Sequence, residues 1–141
     1  MKFTTFAFLC LAALSRAEAS TQVRYTESAD ELKVQYEEAI RRHDTEGAWR
    51  LFCKAPTSDE IITMYRRTVT DTINLPVASV ALAPLQKKSS SIPHSIEPIG
   101  RLVFTYDMEK QEEPKRASSF FYYGRAGGKY CLGLPVVPPE A

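Results

Sequence analysis

The residue types that carry most enzyme chemistry are sparse in this chain and poorly spaced. Two histidines are present, and only His43, followed by Asp44, has a carboxylate as its immediate neighbour. A metal centre needs further His, Cys or Asp ligands at set spacing, and His94 stands alone in a polar stretch. His43 falls where a helix should end, a place that favours a cation against the last carbonyls. Ser89-Ser90-Ser91 lacks a Gly-x-Ser-x-Gly frame and reads as a soluble loop. Gly124-Arg125-Ala126-Gly127-Gly128-Lys129 falls short of a phosphate loop. Its glycine spacing is wrong, and Tyr130 stands where a Ser or Thr would hold magnesium. It reads as a hairpin turn, so neither a cofactor nor a metal site is expected.

A lone acid or base in an apolar pocket is a further option, because desolvation shifts the pKa of a carboxyl or phenol. The candidates are Asp71, Tyr65 and Tyr106. Asp71 lies off the apolar stripe of its helix, whereas both tyrosines lie on apolar faces, as amphipathic core residues do. Cys53 as a nucleophile would need a nearby base, and nothing in the sequence marks one. Net charge is +1. The basic pairs Arg66-Arg67 and Lys87-Lys88 make no stripe able to neutralise phosphates, so no nucleic-acid partner is expected.

The N-terminus reads as an address. Lys2 precedes an uncharged run from Phe3 to Leu14, and Ala17-Glu18-Ala19 supplies the small-x-small pattern that a signal peptidase cuts. The run is too short to span a bilayer, which takes about 20 residues of helix. Residues 1–19 are therefore expected to be a cleavable signal peptide, and 20–141 an exported domain, periplasmic or extracellular, with no stable membrane insertion. Cleavage removes Lys2, Arg16 and Glu18 from 18 basic and 17 acidic side chains, which leaves the domain formally neutral. It also removes Cys10. Cys53 and Cys131 remain, as a disulfide in an oxidising compartment or as two buried thiols otherwise.

Behind these residues lies a run of helical signals. Ser28-x-x-Glu31 is a capping box, and Leu32, Tyr36, Ala39 and Ile40 stripe one face of a helix to about His43. Asp44-Thr45 offers the next N-cap, with a short helix of Ala48, Trp49, Leu51 and Phe52 ending near Cys53. Thr57-x-x-Glu60 is a second capping box. It opens a helix striped by Ile61, Ile62, Tyr65, Val69, Thr72 and Ile73, which Pro76 stops.

The period then changes to two. Strands are predicted over Val77 to Leu85, Ile99 to Met108, Ser118 to Tyr123 and Lys129 to Leu134, with Pro84 marking a sheet edge. Gln86 to Pro98 reads as a polar loop, Glu109 to Arg116 as a charged connection, and the last prolines as a non-regular tail. The plan is α+β: about three N-terminal helices packed on a curved four-stranded antiparallel meander, in a single domain. Phe120, Phe121, Tyr122 and Tyr123 complicate it. Strand neighbours point to opposite faces, so two of the four must leave the helix-covered side. Either the sheet curls around a cavity, or its second face meets a partner, or these rings sit half exposed.

The order of elements, with the Asp44 to Phe52 segment and the Gly127-Gly128-Lys129-Tyr130 hairpin, resembles the cone-shaped nuclear transport factor/ketosteroid isomerase superfamily. The resemblance covers about Ser28 to Leu134. It implies a curved sheet wrapped on helices with a cavity at the open end, and a cystatin-like or other α+β sheet is an alternative. Such folds serve isomerases, hydrolases, binding proteins and dimerisation modules, so fold alone does not name a function. The expectation is an exported module that binds a small apolar ligand or a protein partner, with a homodimer as one form. Its surface would comprise Tyr65, Tyr106, Phe120 and Tyr122. The alternative is a small cavity isomerase, lyase or hydrolase of the ketosteroid-isomerase type.

Overall fold

The computed structural model describes residues 22–54, 58–87, 93–108 and 115–136. The expected signal segment 1–19, Thr57, the three serines Ser89 to Ser91 and Pro138-Pro139 lie outside the described residues.

Each helix begins at a side chain that accepts its first free amide. In α1 (Ala29–Arg42) the Ser28 hydroxyl accepts from the Glu31 amide at 3.0 Å. Glu31 reaches back to the Glu27 amide at 2.8 Å, one residue beyond the N-cap. His43 closes this helix in the left-handed region, φ 53°, with its own amide on Ile40 and the Asp44 amide on Ala39. Asp44 then caps α2 (Thr45–Trp49) by accepting from the Gly47 amide at 2.9 Å.

Two helix boundaries differ from expectation. Helix α2 stops at Trp49 because the chain beyond it bonds to the sheet instead. The Cys53 amide donates to Leu132 at 2.7 Å and the Leu132 amide to Leu51 at 2.8 Å. Helix α3 (Asp59–Ile73) is capped by Ser58, which accepts from Ile61. That start places Asp59 and Glu60 in the first turn, where the helix dipole favours them.

Four strands, β1 (Val77–Ala83), β2 (Gly100–Met108), β3 (Lys115–Ala126) and β4 (Lys129–Leu132), form a curled antiparallel sheet in sequence order. Strand β3 exceeds the predicted Ser118 to Tyr123 at both ends. It pairs with all of β2, from Gly100↔Tyr123 to Met108↔Lys115, and then with β4. Gly127 (φ 59°) and Gly128 (φ 83°) make the tight turn, where two positive φ angles match the strand twist. The fold is α+β.

The helices cover one face of the sheet. Leu32 and Tyr36 of α1, Ala48 and Trp49 of α2 and Val69 and Ile73 of α3 join Phe52, Leu102, Phe104, Phe121 and Leu132 in a continuous buried core. Edge-to-face rings tie its layers together, Phe52 to Phe121 at 5.0 Å and Tyr36 to Phe121 at 6.1 Å. The two sheet edges are treated differently. Outside β4, Thr26 exchanges amide bonds with Tyr130, and Leu51 to Cys53 bond Leu132. Outside β1, no described backbone segment pairs.

Candidate ligand and partner surface

The register assigns each aromatic of β3 to a face. Phe121 and Tyr123 point toward the helices, and Phe121 is buried. Phe120 and Tyr122 point the other way and are half-buried. Tyr65 and Tyr106 belong with the helix side: both pack against the core, and Tyr106 stacks on Phe104 at 6.4 Å. The four residues grouped by sequence therefore divide into two pairs on opposite sides of the sheet.

Beneath the helices the space is filled by rings. Tyr36 is fully buried, and its hydroxyl lies 3.4 Å from the Thr72 hydroxyl. Thr72 donates to the Val69 carbonyl, so the Tyr36 hydroxyl donates to Thr72. Burial pushes the Tyr36 phenol up to about 12. Burial likewise raises Tyr65. Asp71 is exposed on α3.

The outer face is a grid laid out by pairing. One row runs Ala83, Arg101, Tyr122; the next Ala81, Val103, Phe120; the third Ser79, Thr105, Ser118. Small side chains on β1 and rings on β3 make this a shallow bed with an aromatic wall. Phe120 and Tyr122 meet edge-to-face at 5.2 Å. His94 meets the far side of Tyr122 at 4.8 Å, and the Arg101 guanidinium lies over Phe120 at 5.1 Å. Its Nε donates to the Pro84 carbonyl at 2.9 Å, which fixes the cation over the ring. No described carboxylate pairs with Arg101. A ring or apolar group laid on this row would meet Phe120, Val103 and Tyr122, with a cation at its border.

The end of the grid is closed by part of the supposed polar loop. Ile96 is buried with Cys53 and Cys131 in a second, small core on this outer side. The structure brings those cysteines to disulfide distance, with Cα atoms 5.4 Å apart. Ser95 holds the segment down: its hydroxyl donates to the Cys53 carbonyl at 2.8 Å and accepts from the Leu134 amide at 2.9 Å. Amide bonds from Ser95 to Leu134 and from Val136 to Pro93 continue the contact, so Pro135 bridges His94 instead of lying in a free tail.

Compared with family models, curated proteins and solved structures, the chain matches none. Among the described residues, no helix is long and apolar enough to cross a membrane, and no three His, Cys, Asp or Glu gather as a metal-binding group. Sequence reasoning named Phe120 and Tyr122, which share the outer face, but not Arg101 and His94, which lie against them. The alternation of β2 puts Arg101 outward; its position beside the rings depends on register, which one strand alone does not reveal. Ile96, an aliphatic set between Ser95 and Glu97, was the signal for the closing segment.

Proposed function

We propose that this chain is an exported binding module whose outer sheet face docks an apolar ligand or protein partner. The observation that carries this reading is the row His94, Tyr122, Phe120 and Arg101, half-exposed on the face that the helices leave open. Contiguous apolar surface of this kind, bordered by polar groups, marks interaction sites. Aromatic and Arg side chains are the types that dominate binding energy. The residues reach the surface from a rigid sheet, with Arg101 already oriented by Pro84 and Phe120, so little side-chain entropy is lost on docking.

Export supports the same reading from the covalent side. In an oxidising compartment Cys53 and Cys131 close a bond that ties Cys53 to β4, and the Cys53 carbonyl in turn accepts from Ser95, next to His94. We place the chain near the cone-fold superfamily on its three helices followed by a meander and on the Asp44 to Phe52 segment. Native mass spectrometry of protein recovered from its own compartment tests the proposal. A bound molecule or partner chain is expected on a polypeptide that begins at Ser20. A bare chain without any adduct would count against it.

A further inference from the structure

The apolar bed on the outer face lies between two polar limits of different kinds. One limit is Arg101, which faces Tyr122 across the register. The other is the hydroxyl row Ser79, Thr105, Ser118. Between them lie Ala81, Val103 and Phe120. Alternate residues of a strand are about 7 Å apart and neighbouring strands about 5 Å apart. The bed is therefore about one aromatic ring long, and the small side chains of Ala81 and Ala83 leave height above it. Charge distinguishes the Arg101 end. Strand alternation brings Arg101, Asp107, Arg116 and Lys129 to this side of the sheet. Arg116 pairs with Asp107 at 3.3 Å and Lys129 with Glu27 at 3.1 Å. Arg101 has no described carboxylate partner; it contacts the Pro84 carbonyl through Nε and the Phe120 ring. The Pro84 bond leaves both terminal nitrogens, whose parallel N–H groups match the two oxygens of a carboxylate.

We infer that the outer face takes a small aryl carboxylate, with its ring on Val103 against the wall of Phe120 and Tyr122 and its carboxylate on the Arg101 guanidinium. This inference rests on the outer-face reading and names its ligand. Arg101 is half-buried, so its field is less screened than that of a fully exposed cation. One guanidinium balances one negative charge. A phosphate monoester brings nearly two, and the surplus would sit uncompensated beside an apolar bed. Length is limited as well. A ring reaches from the carboxylate across the Val103 row, whereas a longer acyl chain would run onto the hydroxyls of Ser79, Thr105 and Ser118 and cover them without a hydrogen bond. A ring also gains the offset or edge-to-face contacts with Phe120 and Tyr122 that an alkyl chain cannot make. A polar substituent on its far side would meet the hydroxyl row.

Isothermal titration calorimetry of the purified protein with phenylpropanoate, phenylpropanamide, phenyl phosphate and octanoate tests this. Phenylpropanoate should bind about tenfold or more tightly than phenylpropanamide, the difference between a charge-assisted pair and a neutral one. It should also bind more tightly than phenyl phosphate and octanoate. Arg101→Gln should keep the wild-type circular dichroism, weaken phenylpropanoate to the level of the amide and leave the amide unchanged. Equal binding of acid and amide by the wild type would overturn the inference without any variant having to fold. Tighter binding of phenyl phosphate or octanoate, full affinity of Arg101→Gln for the acid, or no binding of acid or amide would each overturn it too. None of these touches the outer-face reading, which falls only if a folded Phe120→Ser, Tyr122→Ser variant keeps its natural occupant. A polypeptide as that occupant, lost with the two rings, would sustain the outer-face reading and overturn the aryl carboxylate.

Discussion

Ile96 lies across the bare Cα of Gly124, on the side of the sheet away from the helices. A Cβ placed on Gly124 would sit 2.8 Å from Ile96 Cγ1 and still closer to the Glu97 carbonyl oxygen. The register partner of Gly124 is Cys131, so the glycine, the Ile96 side chain and the cysteine pair form one contact on the outer face. A loop that reads as polar is thereby fastened to the sheet beside the aromatic row.

Gly124→Ala should therefore destabilise the fold by about 2–3 kcal/mol, since a backbone oxygen must move to admit the methyl group. Gly100→Ala should cost less, because its added methyl meets the far end of the Tyr123 ring, which can swing. Urea unfolding of the two variants checks the order. Equal effects would show that the Ile96 segment is loosely held.

Reduction of the Cys53–Cys131 bond, or its replacement by two alanines, should lower stability by about 4 kcal/mol, as expected for a long closed loop. The local effect should be larger than the global one at the Ser95 clasp. Hydrogen exchange at the Ser95 and Leu134 amides, which bond the clasp, should accelerate more than at Phe104 in the main core.

Alkali should unfold the protein through Tyr36. Its phenol ionises near 10.0 when unfolded and at about 12 when folded, so the native state holds the proton more tightly. The stability linked to that proton is complete below pH 10 and is lost as pH rises from 10 through 12, about 3 kcal/mol in all. Burial raises Tyr65 and Tyr123 in the same direction. Tyr36→Phe should remove most of this alkaline loss. At neutral pH it should cost only about 1 kcal/mol, because Thr72 keeps its bond to Val69. Melting temperatures across this pH range decide it.

What the sequence carried openly was local. Ser28, Asp44, Pro76 and the Gly127-Gly128 turn act on their own neighbours, and they placed helices, strands and the meander. Thr57-x-x-Glu60 misled by one residue because Ser58 offers an equally good cap. The division of Tyr65 and Tyr106 from Phe120 and Tyr122 follows strictly from strand alternation and helix placement. It becomes visible only once register is fixed. Arg101, His94 and Ile96 were hidden for a different reason. Their roles come from contacts between segments distant in sequence, Arg101 with Pro84 and Phe120, Ile96 with Gly124, and no periodic pattern encodes those.

The outer-face reading stands or falls on Phe120 and Tyr122. Both are half-exposed, so Phe120→Ser with Tyr122→Ser should leave the melting temperature within a few degrees of wild type. Wild type and this double variant, each recovered from its own compartment, can be compared by native mass spectrometry. The account predicts an occupant on the wild type that is lost from the folded variant. An occupant retained equally by both would contradict it.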